Sequence, residues 1–518
     1  MNTRGQITPL YRCILRSCST DSKLRPKFNF KLDADLSEEI KTGSLKARHH
    51  PGVFGGGTVT LPDDLIQAVN TILTDYSVKN LAKEATKLSH CLWSRHASLE
   101  AHEYKDKMAQ VEAFIKSKET VDPMAPNILE VDRKRLLDSR SSKVLDKMKK
   151  ETYLWSAIQY DEHKSAAYVV ARLAPDFASL VRILREIKKR DTQFSPHTML
   201  DFGSGIGSGM WAVDNIWPGI CKEAVCVDCS SEMNNLADKL LRGGDPDSPR
   251  TVRAGGTFFK QFLPMSDVLK YDIVLCSRSL FELPDMASRL RTIDILWRKT
   301  AGYLIIVEPG TNEGYRLVLE ARDYILELSR RASEEEEANP HGYVFSPCAH
   351  DMFCPRFFDG SNTPCNFEVN YQPFTFGRKT NTQKDRFSYV VLKQGKRSDS
   401  TEQQWPRLVR SPLHRKKHVI CRVCTKYGTL QELTVTKQRH VNLCKTRENI
   451  VGLGKKVGLE EVELKDVQEL LDSHKEELSP QDLLVLEKQW EEEEETEKKE
   501  EPKVVRTLTA KRLTKAFT

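Results

Sequence analysis

Strand-like and helix-like segments alternate between residues 197 and 310, and this alternation constrains the fold more than any other feature of the chain. Short runs rich in Val, Ile and Leu are separated by stretches with apolar residues at every third or fourth position. In chain order the segments are HTMLDF, GMWAVDNIW, AVCVDC, SSEMNNLADKLLRG, YDIVLCSRSL, ASRLRTIDILWRKT and GYLIIVEPG. Such alternation predicts a mostly parallel, doubly wound α/β sheet. Two later runs, FEVNYQPF and RFSYVVLKQG, predict final strands that pair as a hairpin at one edge.

The region before this sheet has a helical pattern. From LPDDLIQAVNTIL to about residue 150, apolar positions recur at spacings of three and four, with Lys and Glu between them. The sequence LPDD is a good helix start. The later segment YDEHKSAAYVVARLAPDFASLVRILREI predicts two helices broken at Pro175. We identify no catalytic constellation in the N-terminal region.

A glycine-rich loop, DFGSGIGSG at residues 201 to 209, follows the first predicted strand and opens a helix. Glycines allow a ligand to approach the backbone closely, and a helix N-terminus favours negative charge. Asp228 ends the next strand, where a carboxylate is able to bind both hydroxyls of a ribose. A dinucleotide-binding fold is the less favoured alternative, because Ser208 stands where the G-x-G-x-x-G motif requires its last glycine.

This loop resembles the first motif of the class I S-adenosylmethionine-dependent methyltransferases, an acid followed by three alternating glycines. The resemblance implies S-adenosylmethionine as cofactor, with these binding residues: Asp201, Gly203, Gly205, Gly207 and Asp228. Methyl transfer also requires an activated acceptor. The segment at the end of the strand YDIVLCSRSL, CSRSLFELPD, holds neither an N/D-P-P-Y loop nor a cysteine nucleophile pair. Glu282 is a candidate base, although a helix-capping or surface acid is the favoured interpretation. Glu308 ends the next strand, and we expect it to line the same pocket. We predict no catalytic residue.

Six cysteines follow residue 347, at Cys348, Cys354, Cys365, Cys421, Cys424 and Cys444. The first three lie in CAHDMFCPRFFDGSNTPC, and two others form a C-x2-C pair in HVICRVC. Thiolates in fours bind either zinc or an iron–sulfur cluster. Pro347 and Pro355 keep the first two cysteines in non-helical backbone. Spacing alone leaves the metal open, and unrelated free thiols are a less favoured alternative.

Charge is distributed unevenly over the C-terminal part of the chain. From Arg378 to Glu448 there are eighteen Lys and Arg against five Asp and Glu. From Glu460 to Glu501 there are eighteen acidic residues against five basic ones. The basic stretch is suited to a phosphate backbone, although a solvated face is the simpler interpretation of charge alone. Aromatic residues are sparse from Arg407 to Arg447, where Tyr427 is the main one, so we expect phosphate and shape recognition more than base stacking.

The first twenty residues, MNTRGQITPLYRCILRSCST, contain three arginines and no acidic residue. On a helix their apolar residues share one face, which is typical of a mitochondrial transit peptide. An ordinary N-terminus without a targeting role is the alternative. The sequence holds no apolar run of about 18 residues, so we expect no membrane span.

The segment SPCAHDMFCP, preceded by EPGTNEGY and followed by RFSYVVL, resembles the mitochondrial small-ribosomal-subunit assembly family of methyltransferase-like proteins. The resemblance implies a [4Fe-4S] cluster held by Cys348, Cys354, Cys365 and a fourth cysteine from the basic segment. We select Cys421 as the fourth ligand and keep Cys424 as the alternative. Ala349 replaces a proline of the family pattern. The resemblance also implies binding to small-subunit rRNA during assembly in the mitochondrial matrix. We further expect contacts with ribosomal proteins, a monomer on the ribosome and no membrane partner.

We therefore predict a class I methyltransferase-like (Rossmann-like) domain with an N-terminal helical region and a C-terminal cysteine-containing basic extension. The segments are a transit peptide (1–20), a helical region (21–150), the methyltransferase-like domain (151–397) with an iron–sulfur insert at 346–366, the basic extension (398–450) and a charged helical or disordered tail (451–518). The predicted function is assembly of the mitochondrial small ribosomal subunit, with a fold that binds the cofactor but does not transfer methyl groups. The alternative is an active rRNA methyltransferase with a structural metal site.

Overall fold

The computed structural model describes most of the chain between residues 57 and 436. The described residues are 27–28, 42, 57–119, 121, 123–124, 128–151, 155–250, 256–264, 266, 268–335, 341–374, 381–397, 404–415 and 418–436. The predicted transit peptide, the predicted charged tail and Cys444 lie outside them.

Nine helices and thirteen strands are named within the described part of the chain. The helices are α1 (Asp63–Leu73), α2 (Val78–Trp93), α3 (Ala101–Ser117), α4 (Glu130–Glu151), α5 (Glu162–Arg190), α6 (Ser208–Ile216), α7 (Ser231–Leu241), α8 (Met286–Arg298) and α9 (Asn312–Glu335). The strands are β1 (Lys27–Phe28), β2 (Thr198–Phe202), β3 (Glu223–Val227), β4 (Gly256–Lys260), β5 (Tyr271–Ser277), β6 (Thr300–Pro309), β7 (Gly342–Ser346), β8 (Phe367–Tyr371), β9 (Gln383–Gln394), β10 (Arg407–Leu408), β11 (Leu413–His414), β12 (His418–Cys424) and β13 (Leu430–Thr436). A short 3₁₀ turn spans Leu280–Glu282.

The main sheet has the strand order β4-β3-β2-β5-β6-β9-β7, and β8 pairs additionally with β9. Strands β2 to β6 are parallel, whereas β9 runs antiparallel to β6, β7 and β8. The strand order reverses between β2 and β5, which is where open α/β sheets bind ligands at the carboxyl ends of their strands. This doubly wound sheet confirms the predicted class I methyltransferase-like fold.

The two faces of the sheet are covered by different helices. Met199 and Ile305 belong to the hydrophobic core that includes α5, α6 and α7. Their neighbours Leu200 and Ile306 belong to the core on the opposite face, which includes α8 and α9. Since successive strand side chains point to opposite faces, continuous apolar strands bury both sides. Helices α3 and α4 pack against each other through Val111 and residues of α4. In the part of the chain that the structure describes, no helix has the length and apolar character to span a membrane.

The predicted break at Pro175 is wrong, because α5 runs continuously from Glu162 to Arg190 with the proline inside it. A proline in a helix interior costs about 3 kcal/mol. Phe177, Leu180 and Ile183 are buried almost completely on the same helix. Each such side chain contributes about 1.5–3 kcal/mol on burial, so tertiary packing outweighs the local cost.

The predicted pairing of the last two apolar runs is confirmed, since Phe367 of β8 lies opposite Phe387 of β9. Its predicted position at a sheet edge is wrong, because β9 lies between β6 and β7. The reason is a strand that the sequence analysis missed, β7, which takes the outer position.

The basic segment forms a second, smaller sheet. Strands β12 and β13 pair antiparallel from His418↔Thr436 to Cys424↔Leu430. Strands β10 and β11 pair with β12, and β1 pairs with β13. The small sheet contacts the main domain through Arg407, whose Nε donates to the Pro347 carbonyl at 3.0 Å. The basic extension is therefore folded where the structure describes it.

Candidate functional site

The glycine-rich loop connects β2 to α6 in backbone conformations that favour glycine. Gly203, Gly205 and Gly207 have φ angles of 68°, 52° and 80°. These angles lie in the left-handed region, where a side chain adds strain. A Cβ on Gly203 would in addition collide with the side chain of Ser279. The loop thus brings its backbone to the start of α6, with Gly207 at the N-cap position.

Asp228 follows β3 and holds the loop from the neighbouring strand. Its Oδ2 accepts a hydrogen bond from the Gly205 N–H at 2.9 Å, and its Oδ1 accepts one from the Ser230 N–H at 2.9 Å. Burial raises the pKa of Asp228, while these two hydrogen bonds oppose the shift. A carboxylate offers about four acceptor positions, so lone pairs remain for ligand hydroxyls.

Asp201, the last polar side chain of β2, is buried below the loop. A Cβ on Gly209 would collide with the Asp201 carboxylate and with Leu275, so this carboxylate packs directly on the first turn of α6. Burial first, and the charge of Asp228 second, raise the pKa of Asp201 to about 7. The five predicted cofactor residues therefore converge at the carboxyl ends of β2 and β3.

An ion-pair network lies at the carboxyl end of β5. Arg278 follows β5 with a φ of 61°, and its backbone N–H donates to the Val307 carbonyl at 2.7 Å. Its guanidinium donates to Asp385 at 2.8 Å and lies 3.3 Å from Asp176. Arg172 contacts the same two carboxylates and lies 2.5 Å from Asp176 and 3.3 Å from Asp385. We call these four side chains, Arg172, Asp176, Arg278 and Asp385, the buried charge network.

The two glutamates near the pocket are held in structural contacts. Glu282 forms an ion pair with Arg95, which also donates to the Ser156 and Phe281 carbonyls. Glu308 Oε1 accepts a hydrogen bond from the Leu280 N–H at 2.8 Å. Burial raises the pKa of Glu308 to about 8, which favours its neutral form. These contacts give both glutamates partners within the fold.

Three cysteines of the insert lie around Tyr315 of α9. The Tyr315 hydroxyl donates to Cys354 Sγ at 3.2 Å, and Cys365 packs against the same apolar cluster. Burial raises the pKa of Cys348 to about 11, and the neighbouring Cys354 adds to this effect. Burial, followed by the charges of Cys354 and Cys348, raises the pKa of Cys365 well above its ordinary value.

The C-x2-C pair presents its two cysteines to different surroundings. Cys424 Sγ lies 3.3 Å from His350 Nε2, and Cys348 and Cys354 contribute, after burial, to its raised pKa. Burial alone raises the pKa of Cys421 to about 11. Residues three apart in a strand point to opposite faces, so Cys421 and Cys424 face opposite sides of β12. The structure brings Cys424, and not Cys421, to the cysteines of the insert.

Within the described residues, no group of three or more His, Cys, Asp or Glu side chains is close enough to hold a single metal ion. The ligand sulfurs of a four-iron cluster lie farther apart than those of one ion, because four irons and four sulfides stand between them. The chemistry of the donor set fits such a cluster, since Cys348, Cys354 and Cys424 all lie near enough to Cys365 to raise its pKa. Cys354 and Cys424 are buried, and Cys348 and Cys365 are half-buried. Arg322 adds a buried positive charge, and its guanidinium donates to the Met352 carbonyl at 2.6 Å.

Comparisons with known proteins extend over most of the described region. The family model described as mitochondrial small ribosomal subunit Rsm22 matches residues 162–451. The human protein named ribosome assembly protein METTL17, mitochondrial, is 34% identical over 405 residues, which cover 77% of this chain and 84% of the relative. The Saccharomyces cerevisiae ribosome assembly protein RSM22, mitochondrial, is 18% identical over 399 residues, covering 52% of this chain and 63% of the relative.

Solved structures of methyltransferases also match. The magnesium protoporphyrin IX methyltransferase of Synechocystis PCC 6803 with bound S-adenosylmethionine is 12% identical, with a TM-score of 0.26, covering 52% of this chain and all of that chain. The relatives named above are mitochondrial, which confirms the predicted mitochondrial location. The family predicted from the cysteine insert is confirmed as well: the chain belongs to the Rsm22 family of mitochondrial small ribosomal subunit proteins.

Proposed function

We propose that this protein is an assembly factor of the mitochondrial small ribosomal subunit that binds its rRNA in the matrix as a monomer. Two relatives are named ribosome assembly proteins, which supports this role. The observation that carries the proposal is the contact of the basic sheet with the cysteine insert, through Arg407 and His350. A folded and docked array of cations binds structured RNA with less loss of conformational entropy than a free tail.

The proposed organisation keeps the five segments given above. In it, the methyltransferase-like domain (151–397) presents the basic extension (398–450) to RNA. The transit peptide (1–20), the helical region (21–150) and the charged tail (451–518) serve import and contacts with ribosomal proteins.

The proposed pocket binds S-adenosylmethionine without transferring its methyl group. The left-handed glycine loop and the carboxylate of Asp228 support cofactor binding. The buried charge network supports the absence of catalysis, because Arg278 and Asp385 neutralise each other where an acceptor would need a free base or nucleophile.

The proposed cluster is [4Fe-4S], with Cys348, Cys354 and Cys365 as three ligands. Cys424 is the better fourth ligand than Cys421, because its thiol faces the insert. When bound, the cluster supplies a covalent cross-link between the insert and the basic sheet. The Tyr315 hydroxyl and His350 Nε2 are positioned to bond the ligand sulfurs of Cys354 and Cys424.

The metal content of protein purified without oxygen tests this assignment. We expect about four iron and four sulfide per chain, with a visible absorbance band. Cys424→Ser should lose both, whereas the matched variant Cys421→Ser, three residues away on the same strand, should keep them. Zinc without sulfide would exclude the cluster, and loss of iron in Cys421→Ser alone would restore the original choice of ligand.

The role in assembly is tested by replacing the gene with variants and sedimenting mitochondrial ribosomes. We expect the Cys424→Ser variant to accumulate immature small subunits, and the Cys421→Ser variant to support normal assembly. Asp228→Ala distinguishes the alternative function. If this variant loses a methyl mark on small-subunit rRNA, the protein is an active methyltransferase. If methylation is unchanged, transfer is not its activity.

A further inference from the structure

Several apolar side chains next to the cysteines of the insert are exposed to solvent and do not belong to the core. One stretch of seven residues inside the insert carries four exposed apolar side chains, Met352, Phe353, Phe357 and Phe358. Phe353 is 56% exposed. Tyr427, at the turn between β12 and β13, is 68% exposed. Single exposed apolar residues are ordinary, but a contiguous group marks an interaction surface.

These five residues, which we call the aromatic patch, come from two segments in contact. A Cβ on Gly428 would lie 3.2 Å from Met352, so the turn carrying Tyr427 packs on the insert. The Phe357 N–H donates to the Cys354 carbonyl at 3.1 Å. This turn keeps Phe357 and Phe358 next to Cys354. The rings of Phe357 and Phe358 are 5.2 Å apart and nearly perpendicular.

The charges around the patch favour an anionic partner. Within the insert, Arg356 pairs with Asp359 at 2.7 Å, so these two charges cancel. The neighbouring basic sheet supplies the excess: Lys426 Nζ lies 5.2 Å from the centre of the Tyr427 ring, and Arg410 contacts Thr363 of the insert. Protein-binding patches are depleted of charge at their centre, whereas single-stranded nucleic acids bind surfaces where aromatic faces alternate with cations.

We propose that unpaired RNA bases stack on the aromatic patch, chiefly on Phe353 and Tyr427, while the adjacent cations bind the phosphates. This inference rests on the proposed RNA-binding function and adds a substrate class, single-stranded RNA. It also differs from the expectation drawn from the basic segment alone, because the insert adds Phe353, Phe357 and Phe358 to Tyr427 of that segment.

The test is fluorescence anisotropy with the cluster-loaded full-length protein and two labelled probes. One probe is an oligoadenylate of about twelve nucleotides. The other is an RNA duplex of about sixteen base pairs. The variants are Phe353→Ala, Tyr427→Ala and Phe353→Trp, which keeps an aromatic face. Phe262→Ala is the matched control, since Phe262 is 80% exposed and follows β4 at the far edge of the main sheet.

We expect Phe353→Ala and Tyr427→Ala each to weaken oligoadenylate binding by at least about fivefold, the lower range for one stacked base. Phe353→Trp and Phe262→Ala should bind like the unchanged protein, and duplex binding should change less than twofold. Equal binding by Phe353→Ala, or an equal loss on the duplex, would overturn the stacking inference. It would also be overturned if Phe353→Ala kept oligoadenylate binding but no longer bound ribosomal proteins. If the unchanged protein bound neither probe, the proposed RNA-binding function itself would fail.

Discussion

Removing one charge from the buried charge network should destabilise the whole domain. Asp385 accepts hydrogen bonds from Arg172 at 3.3 Å and from Arg278 at 2.8 Å. The four side chains of the network are only 5–13% exposed, and their charges balance. Asp385→Asn keeps the shape of the side chain but leaves two buried cations opposite one carboxylate. Breaking a buried pair in this way costs about 3–5 kcal/mol.

Thermal unfolding measures this effect. For a domain of this size, each kcal/mol lowers the Tm by about 2–4 °C, so we expect a decrease of about 10 °C. The matched control is Asp294→Asn, whose partly exposed pair with Arg298 at 2.7 Å is worth less than about 1 kcal/mol. The double variant Asp385→Asn, Arg278→Gln restores the charge balance and should lose less stability than the sum of the single variants.

The dependence on pH gives an independent check. Although burial raises it, the charges of Arg172 and Arg278 lower the pKa of Asp385 overall, below its ordinary value of 3.8. A lowered folded-state pKa means that the stabilisation is present above the unfolded pKa and is lost as pH falls through the folded value. The difference between the unchanged protein and Asp385→Asn should therefore shrink in acid below about pH 4. A loss no larger than that of Asp294→Asn at neutral pH would refute the reasoning.

Two further predictions concern the pocket. Because the folded pKa of Glu308 is raised to about 8, its contribution is complete below the unfolded pKa and is lost as pH rises through 8. Glu308→Gln should make the Tm less dependent on pH between pH 5 and pH 8. Near pH 8 the Tm of the variant should exceed that of the unchanged protein. Parallel curves of Tm against pH for the two proteins would contradict this. A Cβ on Gly209 would collide with Asp201 and Leu275, so Gly209→Ala should weaken S-adenosylmethionine binding at least tenfold and cost about 1–3 kcal/mol. Calorimetric titration measures the affinity, Gly57→Ala in open space is the control, and unchanged affinity would show that the loop tolerates the displacement.

The parallel core of the sheet was predictable because its signals are local. The runs that form β2, β3, β5 and β6 are continuous apolar stretches. Ser230 caps α7, where its side chain accepts a hydrogen bond from the Met233 N–H. Helix α9 was missed although its apolar positions recur at helical spacing. The break predicted at Pro175 failed because a local rule was applied to a helix that is stabilised by distant side chains.

The site was predictable only in part. The glycine loop and Asp228 are close in sequence and share one motif, so the pattern identified them together. The buried charge network joins Arg278 to Asp385 across 107 positions, and no periodicity links such residues. The opposite orientation of Cys421 and Cys424 could have been predicted, because Val419, Cys421 and Val423 of HVICRVC are two residues apart and would share one face of a strand. Because no strand was predicted in this segment, the alternation could not be assigned to the two faces of a strand.

The position of β9 has a consequence for how the chain folds during synthesis. β9 pairs with β6, β7 and β8. Among the named strands β7 and β8 pair with β9 alone, so these two find their partner only after Gln383–Gln394 has emerged. Until then β6 presents an unpaired edge, and neither of the strands that flank the insert, β7 and β8, is paired with another named strand. Unpaired edges are the part of a nascent chain most exposed to wrong pairing. A chain that stops before Gln383 would therefore lack the closing strand, and we expect it to be recognised by chaperones or degraded.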